Sequence, residues 1–103
     1  MSILLQQGDV LIKKLLKLPE NLKLKNNNIV AVGEVTGHYH EVIGSNVETF
    51  YDEFGNLFLN VNCDDAIISH QEHKHFNIPL GIYEIGIVRE YDHFAEEARM
   101  VRD

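Results

Sequence analysis

The chain contains one cysteine, two prolines and no tryptophan. With Cys63 alone no disulfide can close within the chain, and zinc sites built on several cysteines are excluded. A reducing compartment fits that usage best. No apolar stretch approaches the ~20 residues of a membrane span. The opening "MSILLQQGDV" has no basic segment leading into an apolar one of secretory-signal length. A cytoplasmic protein with no membrane attachment is the expectation. Positive charge is scarce as well, with 9 Lys and Arg against 16 Asp and Glu for a net −7. Such a balance argues against adhesion to long duplex nucleic acid, which takes a basic stripe. It leaves room for a small anionic nucleotide held in a local pocket. The lysines at 13, 14, 17, 23 and 25 gather early in the chain and read most simply as solvated surface.

What is abundant is apolar and β-forming. A hydrophobic share of 45% over 103 residues is that of one folded domain, residues 1–103. A strand is expected from Val10 into the lysines, since Gly8 and Asp9 punctuate its start, and Pro19, Glu20 and Asn21 break it. "KNNN" at 25–28 is a polar loop. From Ile29 onward the pattern is β: "IVAVGEV", then "HYHEVI" after a bend at Gly37, then "VETFY" and "LFLNVN" joined by the turn "DEFGN". "AIISH" and "GIYEIGIVREY" add two more, with Tyr83, Ile85, Ile87, Arg89 and Tyr91 on one face of the last. The tail "FAEEARMVRD" reads as a short helix or a disordered end. Seven to eight short strands imply an all-β fold, a small antiparallel β-barrel or sandwich.

Five of the six histidines fall in two short segments, "HYHEV" from His38 and "SHQEHKH" ending at His75. On a strand His38 and His40 share a face, with Tyr39 opposite. In an extended "HQEHKH", His70 and Glu72 would share one face and His73 and His75 the other, so only a turn lets His70 and His73 act together. Solvated or merely hydrogen-bonded imidazoles are the plain alternative, strongest for "HKH". Two chemistries compete with it. A metal centre needs three or four N or O ligands, and His38, His40, His73 with Glu72 or Glu41 would suffice. Acid–base cleavage of a phosphodiester needs a base, an acid on the opposite side and a cation for the charged phosphorane. His38 or His40 could take one side and His70 or His73 the other. Arg89 or Lys74 would neutralise the phosphate, unless Arg89 only pairs with Glu84, Glu90 or Asp92. Tyr39 or Tyr91 would stack on a base, and Glu72 would orient His70 or His73. His93 stands apart, and Cys63 has no neighbouring cation in sequence to activate it.

Gly33 to Gly44, with its His-x-His pair and following Glu41, resembles the first motif of single-domain cupins, and "IPLGIYE" from Ile78 resembles their second. The resemblance implies one divalent transition metal such as Zn, Mn, Fe or Ni. It departs from the pattern in two places: Glu41 directly follows His40, and Glu84 stands where the second motif has a histidine. Six ordered pieces span nearly the whole chain: "QGDVLI", "GEVTGHYHEV", "HQEH", "IPLGIYE", "REYD" and "VRD". Together they look like a family of small bacterial proteins similar to the ring nucleases that destroy cyclic oligoadenylate messengers in CRISPR-type antiviral defence. That resemblance implies a homodimer binding a symmetric cyclic ligand across its two-fold axis, with cofactor-free chemistry at "GHYH" and "HQEH". The expected function is a histidine-dependent phosphodiesterase acting on a small RNA or cyclic oligonucleotide. Its catalytic set is His38, His40, His70, His73, Glu72 and Arg89. The alternative is a cupin-like metal-binding enzyme or sensor using His38, His40, His73 and Glu72.

Overall fold

The computed structural model of the protein describes residues 2–33 and 37–88. Ten strands and no helix lie among these residues: β1 (Ser2–Gln7), β2 (Val10–Leu15), β3 (Lys23–Leu24), β4 (Ile29–Val32), β5 (Tyr39–Ile43), β6 (Val47–Tyr51), β7 (Leu57–Val61), β8 (Ile67–His70), β9 (Phe76–Asn77) and β10 (Gly81–Ile87). They form two antiparallel sheets, one in the order β1-β2-β10-β7-β6-β3 and the other β4-β5-β8-β9. The all-β reading holds, as a sandwich and not as a closed barrel. The expected seven to eight strands become ten through β1 and the two-residue β3 and β9. β1 is an edge strand held by its register with β2, from Ser2 opposite Lys14 to Gln7 opposite Val10, and such pairing carries little local signal. Arg89, Tyr91, His93 and the expected helical or disordered tail lie outside the described residues.

Alternation explains how the sheets meet. Val10 and Ile12 of β2, Leu59 and Val61 of β7, and Tyr83 and Ile85 of β10 point inward from the larger sheet. Val30 of β4, Val42 of β5 and Ile68 of β8 answer them from the smaller one, with Ala66 and Ile78 from the adjoining loops. Sheet-on-sheet packing of this kind buries one face of each sheet and leaves the other to water. The expected hairpin at "DEFGN" is present. β6 and β7 pair from Val47 opposite Val61 to Tyr51 opposite Leu57. Its turn is stabilised by Asp52, whose carboxylate accepts the N–H groups of Phe54 and Asn56, both at 2.9 Å. Gly55 takes the left-handed conformation there, φ 85°.

Two hairpins and one turn converge at one end of the sandwich. β4 and β5 form the first, closed where the Gly33 N–H donates to the His38 carbonyl at 2.8 Å. β8 and β9 form the second, with residues 71–75 as its loop. β1 and β2 are joined by Gly8 and Asp9 alone. The Val88 N–H donates to the Asp9 carbonyl at 2.7 Å and ties that turn to the end of β10.

Candidate functional site

Antiparallel register brings the two histidine segments together. His40 on β5 lies directly opposite His70 on β8, and opposed side chains on one face are close neighbours. Their rings are 4.3 Å apart, centroid to centroid. β8 ends at His70, and a bend at residues 71–73 turns His73 back so that its ring lies 4.5 Å from that of His70. This is the turn that joint action of His70 and His73 requires. His38, just before β5, completes the group with its ring edge-on to His70 at 5.6 Å. His40 and His73 stack at 6.0 Å. Four of the six expected site residues, His38, His40, His70 and His73, therefore form one cluster. Glu72 joins it, its carboxylate 3.5 Å from His38 Nδ1. Arg89 lies outside the described residues, and His75 is exposed.

His40 points to the same side of β5 as the core residue Val42 and is itself only 5% exposed. A buried imidazole costs free energy unless it is hydrogen-bonded, and its partner comes from a segment with no histidine. Gln7, the last residue of β1 and 1% exposed, has its Oε1 2.8 Å from His40 Nδ1. Its Nε2 donates to the carbonyls of Ile68 at 3.1 Å and Lys74 at 2.8 Å. Two carbonyl acceptors fix which end of the amide is nitrogen, so the oxygen faces His40 and accepts a hydrogen bond from it. Nδ1 of His40 therefore carries the hydrogen, and Nε2 of the neutral ring has its lone pair bare. Asp9 Oδ1 lies 3.8 Å from that Nε2.

His70 has the opposite arrangement. The backbone N–H of Glu72 donates to His70 Nδ1 at 3.0 Å. A backbone amide can only donate, so Nδ1 holds the lone pair and the neutral ring carries its hydrogen on Nε2. Glu72 thus orients His70 through its main chain, whereas its carboxylate serves His38.

Charge follows from the same packing. Burial lowers the pKa of His40 below the usual 6.5, the neighbouring His70 and His73 lower it further, and Asp9 offsets part of this. His70 is lowered too, by burial first and then by His73 and His38, against the opposing pull of Glu72 and Asp9. Both rings are neutral near pH 7, one offering an acceptor and the other a donor.

Gly8 makes room for the cluster. It adopts φ 58°, and a Cβ there would come within 2.8 Å of His73 Nε2 and 3.4 Å of His40 Cε1. Gln7, Gly8 and Asp9 are therefore a third leg of the site that the histidine pattern does not reveal. In the sequence this turn shows as the tight Gly-Asp break between two apolar runs and as part of the piece "QGDVLI", neither of which says what the turn touches. The amide of Tyr39 donates to Gln71 Oε1 at 2.9 Å, latching the β8–β9 loop to the start of β5. Tyr39 itself is 36% exposed.

Among the described residues no group of three or more His, Cys, Asp or Glu side chains is arranged to hold one ion. The set His38, His40, His73 and Glu72 does not form such a group, although the bond from His40 Nδ1 to Gln7 leaves the Nε2 lone pair available. Among the described residues there is also no helix long and apolar enough to cross a membrane.

The chain belongs to the family described as "Domain of unknown function (DUF8820)", whose pattern matches residues 6–88. The matched span takes in Gln7, Gly8 and Asp9 as well as both histidine segments. No curated protein and no solved structure matches the chain.

Proposed function

We propose that this is a metal-independent phosphodiesterase that cleaves a small RNA or cyclic oligonucleotide by histidine acid–base chemistry, with cyclic oligoadenylate as the favoured substrate. The observation that carries the reading is the facing pair His40 and His70, two neutral imidazoles in opposite tautomers with rings 4.3 Å apart. A base without a hydrogen beside a hydrogen-bond donor supplies two of the needed parts, uptake of the nucleophile's proton and a partner for the charge that develops on the phosphoryl oxygen.

In this scheme His40 Nε2 takes the proton of the ribose 2′-hydroxyl. The oxygen then attacks phosphorus, and the bond to the 5′-oxygen breaks. His70 Nε2–H donates to a non-bridging oxygen as negative charge builds there. His38, paired at Nδ1 with the Glu72 carboxylate, acts in this scheme as the imidazolium and gives its Nε2 proton to the departing 5′-oxygen, leaving a 2′,3′-cyclic phosphate, a 5′-hydroxyl, a neutral His38 and a protonated His40. His73, packed over Gly8, closes the side of the site next to the turn. The overall acidity of the chain favours a short ligand gripped locally over a long duplex.

The test is one assay. Labelled cyclic and linear oligoadenylates are incubated with the purified protein, with and without excess EDTA, alongside elemental analysis. Cleavage to cyclic-phosphate ends that persists in EDTA is the expected result. Cleavage abolished by EDTA and restored by a divalent metal would instead establish the cupin-like alternative. A retained nucleotide with no turnover would make the protein a binding module.

A further inference from the structure

We propose that Gln7 is a positioning residue of this site: its side-chain amide fixes His40 as the Nδ1–H tautomer and so selects Nε2 as the basic atom. The catalytic meaning of that selection rests on the phosphodiesterase reading, but the tautomer itself does not.

Gln7 reaches across the sandwich. It ends β1 in the larger sheet, while all three of its side-chain partners belong to the smaller sheet or its loop: His40 on β5, Ile68 on β8 and Lys74 after the 71–73 bend. One amide therefore spaces the two histidine segments and sets the hydrogen on one of them. The alternatives are each self-defeating. Were His40 protonated on Nε2 instead, its bare Nδ1 would confront the Gln7 oxygen at 2.8 Å, acceptor against acceptor. Were the amide flipped to relieve this, its oxygen would face the carbonyls of Ile68 and Lys74 at 3.1 and 2.8 Å. With Gln7 1% exposed, no solvent is at hand to mend either mismatch. One assignment satisfies all three contacts.

Selecting Nε2 has a geometric consequence. That nitrogen is the one 3.8 Å from Asp9 Oδ1, and Asp9 sits two residues after Gln7 on the turn. A proton gained at Nε2 is thus received beside a carboxylate supplied by the same turn. Gln7, Gly8 and Asp9 act as a unit: the first sets which nitrogen is bare, the second leaves space for His73, and the third faces the proton once it is transferred.

A merely structural glutamine would support the fold without caring where the imidazole hydrogen sits, so the test reads that hydrogen directly. Long-range nitrogen–proton correlation spectra of the uniformly ¹⁵N-labelled protein, with His40 assigned by a His40→Gln sample, give the tautomer of each ring. In the wild type above pH 7, His40 is expected as Nδ1–H and His70 as Nε2–H. Gln7→Glu keeps an acceptor of the same reach but loses the Nε2 donor, so its carboxyl must stay protonated to face the Ile68 and Lys74 carbonyls. In that form it is expected to retain the His40 pattern with a loss of stability. Gln7→Leu is expected to lose it, giving mixed or Nε2–H signals, with His70 unchanged and kcat lowered roughly 10- to 100-fold at similar KM. An Nε2–H signal for His40 in the wild type would overturn the inference, as would an unchanged His40 signal in a folded Gln7→Leu. Should Gln7→Leu fail to fold, the wild-type and Gln7→Glu spectra decide the matter alone. These spectra need no substrate, so absence of turnover, which would sink the nuclease reading, and a wrong tautomer, which would sink this one, are separate results.

Discussion

His38 and His40 lie two residues apart, yet one imidazole is held by an exposed carboxylate and the other by a buried amide. His38 Nδ1 faces Glu72, a pair whose side chains are 30% and 68% exposed. His40 faces Gln7 in the interior. The difference separates catalysis from stability. His38→Ala removes an exposed pair of the sort that contributes about 0–1 kcal/mol and is expected to leave the fold intact. It should nevertheless lower cleavage by roughly 10²- to 10⁴-fold, the worth of a positioned proton donor. His40→Ala should lose turnover on the same scale and also about 1–3 kcal/mol of stability, because the Gln7 oxygen is left buried without a donor. Chemical denaturation beside the cleavage assay checks both. Unchanged cleavage by His38→Ala would remove that residue from the site.

The lowered pKa values of His40 and His70 fix the sign of two pH effects. Cleavage needs His40 neutral, so the acidic limb of the kcat/KM profile is expected below the usual histidine value of 6.5. Stability should fall in the same window. In the unfolded chain both rings take up protons near 6.5, while in the folded protein they do so at lower pH. The unfolded state thus binds more protons as pH drops, and linkage favours unfolding. The full contribution is present above pH 6.5 and is lost as pH falls through the folded values. The unfolding free energy measured from pH 7.5 down toward the carboxylate range should show this decline, and a shallower one in His40→Gln, which titrates one ring fewer. A flat or rising curve would contradict the assigned direction.

Tyr83 offers a control away from the histidines. It is fully buried in the core, its hydroxyl donates to the Pro79 carbonyl at 2.7 Å, and burial raises its pKa. Tyr83→Phe keeps the ring and removes the donor. A loss of about 1 kcal/mol is expected from the missing hydrogen bond, with cleavage per folded molecule unchanged. A matching fall in turnover would tie the core to the site more tightly than the geometry does.

These residues also mark how far the sequence could be read. The hairpin at "DEFGN" and the alternation of β2, β7 and β10 were legible because period-two patterning and turn chemistry are local properties. The two-residue β3 and β9 were not, since pairing alone defines them. His38 and His40 could be placed on one side of a strand for the same local reason. Their meeting with His70 is a matter of register between strands about thirty residues apart, and register is set by the whole core. Gln7 was the least visible of all. An amide ending an edge strand looks like any polar surface residue until the fold shows it sealed between two sheets. The metal alternative looked equally good in sequence, because ligand types were present. Their placement in space, which no local pattern gives, leaves no group of three or more set to hold one ion among the described residues.

Gly8 allows strain and displacement to be told apart. At φ 58° an alanine pays about 1–2 kcal/mol for the left-handed conformation, and its Cβ also arrives 2.8 Å from His73 Nε2. His73 is exposed, so the ring can swing away and the fold should survive. Gly8→Ala is therefore expected to lower stability by roughly 1–2 kcal/mol and to reduce cleavage by moving His73 out of the cluster. Asparagine tolerates the left-handed region better than alanine does but brings the same Cβ. Gly8→Asn should recover most of the stability and none of the cleavage. If both variants cut as well as the wild type, His73 has no part in the reaction. If Gly8→Asn recovers cleavage along with stability, backbone strain was the whole effect, and the packing of His73 against the turn is incidental.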